Sequence, residues 1–184
     1  MKKDKKQKRS KKLWLWPVEI LLLAIVLSLS FSILSEMVLT KANLIIAIII
    51  ILVFIAISIF FDMIGLAVAT ASLESFTSMA SRKVKGSKQA LALIKNADKV
   101  SSICADVIGD VCGILAGAAG ASILAKIAIT SGSFLEILVP SLISAIIAGL
   151  TIFGKASFKR FAINHCDGIT LKLAKFLNFF TRKD

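Results

Sequence analysis

Apolar and polar positions come in blocks along this chain. Four apolar stretches, about 13–35, 44–71, 100–128 and 134–154, are separated by charged segments. A helix needs roughly 20 apolar residues to cross a hydrocarbon core about 30 Å thick, and each stretch meets that test. The second opens with a charge-free run from Leu44 to Phe61. Between the second and third stretches the pattern changes. Phe76, Met79, Ala80 and Val84 recur at helical spacing, Gly86-Ser87 interrupts them, and Ala90, Leu91, Leu93 and Ile94 resume. This predicts a hairpin of two helices with one apolar face. Residues 155–181 gather Phe158, Phe161, Ala162, Ile169, Leu173, Phe176, Leu177 and Phe180 on one side, with Lys159, Arg160, Lys172 and Lys175 mostly elsewhere. That predicts an amphipathic helix on the membrane surface, broken near Gly168.

The expected fold is therefore an all-α membrane protein with four transmembrane helices, a cytoplasmic helical hairpin and a C-terminal membrane-surface amphipathic helix. Its expected divisions are a basic N-terminus (1–12) and an N-terminal anchor with its outer loop (13–43). A transmembrane core (44–154) follows, with spans 44–71, 100–128 and 134–154 and the hairpin at 75–98, then an amphipathic basic tail (155–184). The start resembles a signal peptide, with a basic leader and small residues at Ser28 and Ser30. The apolar run is too long for one, and Trp14 and Trp16 mark an interfacial belt, so a retained anchor is expected. Pro140 predicts a kink in the fourth span, and "TSGS" (130–133) a short outer turn.

Charge orients this picture. The chain has 184 residues, is 57% hydrophobic and carries a net charge of +12. Eight Lys/Arg lie in 1–12, six in 82–99 and seven from Lys155 onward, leaving only Lys41 and Lys126 elsewhere. Basic residues accumulate on cytoplasmic flanks, so a multi-pass protein of the plasma (inner) membrane is expected, with both termini cytoplasmic. The basic runs suit anionic lipid head groups. Nucleic acid is not expected, because the aromatic-basic interleaving that base stacking needs is missing. Gly109, Gly113 and Gly117, with Gly120 beyond, let helix backbones approach closely in lipid, within the bundle or at a dimer seam.

Three acids break the apolar pattern. At 1.5 Å per residue, a third span entering near Val100 places Asp106 about 9 Å deep and Asp110 about 15 Å deep. A second span leaving near Ala71 places Asp62 roughly 13 Å from the same surface. Asp62 and Asp110 thus reach similar depth on consecutive antiparallel spans, and Asp106 and Asp110 share one helix face. An acid at mid-bilayer costs about 2.5–3.5 kcal/mol even on lenient scales, so these residues should face the bundle interior or a wet cavity. Converging carboxylates could hold a cation, relay protons or pair with a buried base. Hard oxygen ligands suit Mg²⁺ or Ca²⁺.

The stretch "GSKQALALIKNADKVSSICADVIGDVCGILAG" (86–117) resembles the membrane domain of the CNNM/CorC magnesium transporters. Ile108-Gly109-Asp110 stands at that family's Ile-Gly-Asn signature. Phe60-Phe61-Asp62 stands where the family has Phe-Phe-Ser, and Gly154-Lys155-Ala156-Ser157-Phe158-Lys159 where it has Gly-Glu-x-x-Pro-Lys. The resemblance covers about residues 45–180. It implies a homodimer of three spans plus a membrane-surface helix, to which the first span here is an addition. It also implies a Mg²⁺ site built by a Ser, an Asn and a Glu from three helices. On those positions this chain has Asp62, Asp110 and Lys155, and the next family Asn position is Ile114. The nucleotide-binding CBS pair has no counterpart in this sequence, which leaves room for a separate regulatory subunit.

Two functions are expected from this. The first is a divalent-cation transporter, with Mg²⁺ held by Asp62 and Asp110, Asp106 on the way in or supporting them, and Ser58 or Ser102 as further oxygen donors. The alternative is a non-transporting scaffold or accessory subunit whose ion site is plugged by Lys155 as internal counter-ion. Lys155 could equally snorkel to the inner interface. An enzyme is not expected: there is no nucleophile–base pair, glycine-rich phosphate loop or zinc spacing. His165, Cys166 and Asp167 are sequence neighbours, which on a helix do not face each other. Cys104 and Cys112 read as small apolar residues.

Overall fold

A computed structural model describes residues 2–41, 43–127 and 135–181, and all their regular structure is helical. Four stretches among them are long and apolar enough to cross a membrane. The first, Trp16–Val38, lies within α1 (Lys2–Lys41). The second is the whole of α2 (Leu44–Thr70). The third joins α5 (Ala97–Ser101), a π-helical segment π1 (Ser102–Gly109) and α6 (Asp110–Ile127). The fourth lies in α7 (Leu135–Asn164). Between the second and third sit two short helices, α3 (Leu73–Ser81) and α4 (Ser87–Lys95), and α8 (Cys166–Thr181) closes the described chain. The expected turn at 130–133 lies outside the described residues.

α2 is the central helix, touching α5, π1, α6, α7 and α8. It is apolar all round, as lipid requires, but its contact face can be read off burial. Ala47, Ile51, Ile55, Ser58, Gly65 and Val68 are buried at helical spacing. The upper part of this face packs with Ala116, Ala119 and Ile147 into one apolar cluster. Small residues bring the helices together: an added Cβ on Gly120 would strike Ile147 Cδ1, and one on Gly154 would strike Ile59. Gly117 faces open space instead. α1 packs on α6 and π1. Trp16, Ile20, Ala24, Leu27, Ser28 and Ser35, its less exposed described positions, recur at helical spacing. The Lys99 ammonium sits 4.6 Å from the centre of the Trp16 ring.

A second layer caps the end of α2. Phe76, Ala90 and Ala174 are fully buried there, with Ala71, Leu91, Ile94 and Leu171 around them. The predicted break at Gly86-Ser87 is a turn containing two left-handed residues, Lys83 at φ 55° and Gly86 at φ 88°. Ser72 caps α3 by accepting from the Ser75 amide.

Two expectations about the tail change. The helix of the fourth apolar stretch does not end near Gly154. α7 runs through Pro140 and Lys155 to Asn164 without interruption, because nothing in 155–164 breaks a helix. The break comes at His165, and Gly168 lies inside α8. α8 also packs on protein. Its Thr170–Ala174 face is buried against protein, the Asp167 carboxylate accepts from the Ser72 amide at 3.1 Å, and Gln89 Nε2 donates to Asn178 Oδ1 at 2.8 Å.

Candidate functional site

The longer α7 brings Lys155 to the aspartates. Asp62 lies eight positions before the end of α2, and Lys155 nine before the end of α7. At 1.5 Å per residue these are distances of about 12 and 13.5 Å from the two helix ends. α2 and α7 pack together, so the two side chains meet at one level. The Lys155 ammonium donates to Asp110 Oδ1 at 2.7 Å and lies 3.9 Å from Asp62 Oδ1. The first contact is a short charge-assisted hydrogen bond. The second is an ion pair at the outer limit of contact.

The backbone around these residues is set by close approach. Ser58, one turn before Asp62 and fully buried, donates its hydroxyl to the Gly109 carbonyl at 2.5 Å. Gly109 closes π1, and Asp110 follows as the first residue of α6. The Ser58 hydroxyl thus bonds α2 to the junction between π1 and α6. An added Cβ on Gly109 would lie 3.3 Å from both the Ser58 and Cys104 carbonyls. One on Gly65 would lie 3.1 Å from the Ser101 carbonyl and 3.2 Å from the Ala105 amide. α2 and π1 therefore touch backbone to backbone on both sides of Asp62, which fixes its height against Asp110. Thr151, one turn before Lys155, is buried and donates back to Ile147. Its methyl and the Ser58 hydroxyl both lie against Gly113, one turn beyond Gly109. Lys155, Asp62 and Asp110 form a triad of charges.

The triad is shielded unevenly. The side chains of Lys155 and Asp62 are 21% and 28% exposed, and that of Asp110 is 59% exposed. One ammonium thus stands between two carboxylates, one of them open to whatever surrounds the bundle.

The sequence-predicted ligands divide accordingly. Asp62 and Asp110 are brought together, through Lys155. Asp106 is exposed and forms no ion pair among the described residues. Ser58 is spent on the Gly109 carbonyl, and half-buried Ser102 opens π1 without joining these contacts. Among the described residues no group of three or more His, Cys, Asp or Glu could hold a metal. Nothing in the residue pattern pointed to π1 or to the Gly109 carbonyl as a partner. Thr151 was detectable, because it lies four residues before Lys155 and so shares its helix face. Set against known proteins, the chain matches no protein-family model, no curated protein and no solved structure.

Proposed function

We propose that this chain is a multi-pass protein of the plasma membrane with both termini cytoplasmic. It keeps its own lysine where a cation would otherwise sit, and serves as a non-transporting scaffold or accessory subunit. The observation that carries this reading is the Lys155 ammonium, 2.7 Å from Asp110 and 3.9 Å from Asp62. A Mg²⁺ ion needs oxygen ligands at about 2.0–2.1 Å in near-octahedral array. Here the ammonium stands between the two carboxylates that converge among the described residues, and a dication beside it would meet direct repulsion. The pair also lets two acids stay within an apolar bundle, where lone charges are costly. The resemblance to the CNNM/CorC membrane domain fits, since Lys155 stands at that family's acidic ligand position. A homodimer and a separate regulatory subunit belong to the same proposal.

A second reading keeps transport and makes Lys155 a movable plug. The exposure of Asp110 favours it, with Asp106 exposed one turn away, because a cation could approach along that face. Mg²⁺ uptake into liposomes separates the two. The scaffold reading expects no uptake by the wild type and expects Mg²⁺ binding to appear in Lys155→Glu. Wild-type uptake that Asp110→Ala abolishes would establish the transporter instead.

A further inference from the structure

The cations of the second layer are distributed unlike those of the triad. Lys83 and Lys85, in the turn between α3 and α4, and Lys172 and Lys175, on α8, are all exposed. The two groups are far apart in sequence but adjacent in space. An added Cβ on Gly86 would lie 3.0 Å from Lys175 Cγ, and the Gln89–Asn178 hydrogen bond joins the same two elements. Both ion pairs among the described residues belong to Lys155, so no carboxylate neutralises these four ammonium groups there. On α8, Lys172, Lys175, Phe176 and Phe179 lie on the side opposite the buried Thr170 and Ala174. Phe176 and Phe179 are 62% and 81% exposed. The outward face of the layer is therefore both basic and aromatic.

We infer that this face, built by the 82–86 turn and α8, is a binding site for anionic phospholipid head groups of the leaflet at the basic end of the bundle. Three observations select lipid over a soluble polyanion. The layer caps the ends of apolar spans, since Ala71 at the end of α2 is part of its core. α8 follows α7 after the break at His165 and is tied to the end of α2 by the Asp167–Ser72 hydrogen bond. The phenylalanines beside the lysines have no polar handle, which suits the boundary between head groups and acyl chains. Phosphate oxygens would take the four ammonium groups while the rings enter the boundary. This site rests on the membrane placement proposed above and is independent of the Lys155 triad.

The test uses the full chain purified in neutral detergent, with phosphatidylglycerol or phosphatidylcholine added at equal mole fraction. Bound lipid is counted by native mass spectrometry. The wild type should retain at least threefold more phosphatidylglycerol than phosphatidylcholine. Joint replacement Lys83→Gln, Lys85→Gln, Lys172→Gln and Lys175→Gln should remove most of that preference. Replacing Lys2, Lys3, Lys5 and Lys6 by Gln, an equal loss of charge, should preserve it. Should the fourfold variant prove unstable, Lys→Arg at the same four positions must keep the preference. Equal retention of the two lipids overturns the site, as does a preference surviving the fourfold change or tighter binding of single-stranded nucleic acid than of phosphatidylglycerol. Extraction of the expressed chain by alkaline carbonate would instead show that the membrane placement is wrong.

Discussion

Lys155 and Asp110, 45 residues apart, are joined by a 2.7 Å charge-assisted hydrogen bond between α7 and the start of α6. Removing the ammonium leaves two acids facing each other without a cation. A buried pair broken from one side costs about 3–5 kcal/mol, and the exposure of Asp110 lowers that figure. Lys155→Ala should therefore destabilise the protein by about 2–3 kcal/mol. Lys155→Met combined with Asp62→Asn and Asp110→Leu should restore most of the loss, because a neutral set needs no counter-ion. Thermal unfolding in detergent checks both. A Lys155→Ala protein as stable as wild type would remove the counter-ion role.

The Ser58 hydroxyl is predicted to hold π1 in register. Ser58→Ala removes the buried side-chain hydrogen bond between α2 and the end of π1, at a cost of about 0.5–1.5 kcal/mol. Hydrogen exchange should report it locally, with amides around 107–113 losing protection before those of α2.

Gly65 should tolerate no side chain. The nearest neighbours of an added Cβ are the Ser101 carbonyl and the backbone of Ala105, which cannot rotate away as a side chain can. Gly65→Ala should cost about 1–3 kcal/mol and move α2 off π1. A pair of cysteines replacing Asp62 and Asp110 should then cross-link more slowly than in an otherwise wild-type chain.

Thr170 offers a change in the opposite direction. Its hydroxyl is fully buried on α8 with no hydrogen-bond partner among the described residues. Thr170→Val keeps the shape and removes the unmet polar group, so stability should rise by about 1 kcal/mol. A lower melting temperature would mean that the hydroxyl has a partner.

Much of this architecture could be read from the sequence, for reasons that also explain what could not. Counting at the α-helical rise led to the expectation that Asp62 and Asp110 lie at similar depth on neighbouring helices, and the structure brings both to Lys155 although 102–109 is wound as a π-helix. The same counting left Lys155 open between the two acids and the inner interface, and the structure has it against the acids. The charges at Lys155, Lys159 and Arg160 read as the exit of the fourth span, whereas α7 simply continues through them. An amphipathic helix shows that it has an apolar side but not what covers it. So the docking of α8 on Phe76 and Ala90 had no signature in the pattern. π1 was invisible for another reason: a wider turn changes hydrogen-bond spacing without changing composition.

That wider turn has a mechanical consequence. Winding bonds across five residues instead of four lets π1 hold one residue more than an α-helix of the same number of turns. Were the slack drawn out, the part of the helix beyond Gly109 would rotate by about 100°, the angle of one α-helical step. Asp110 would swing away from the ammonium, and a neighbour without charge would take its place. The connection between two distant strands of the chain thus hinges on a single unit of winding, located next to the charges it controls.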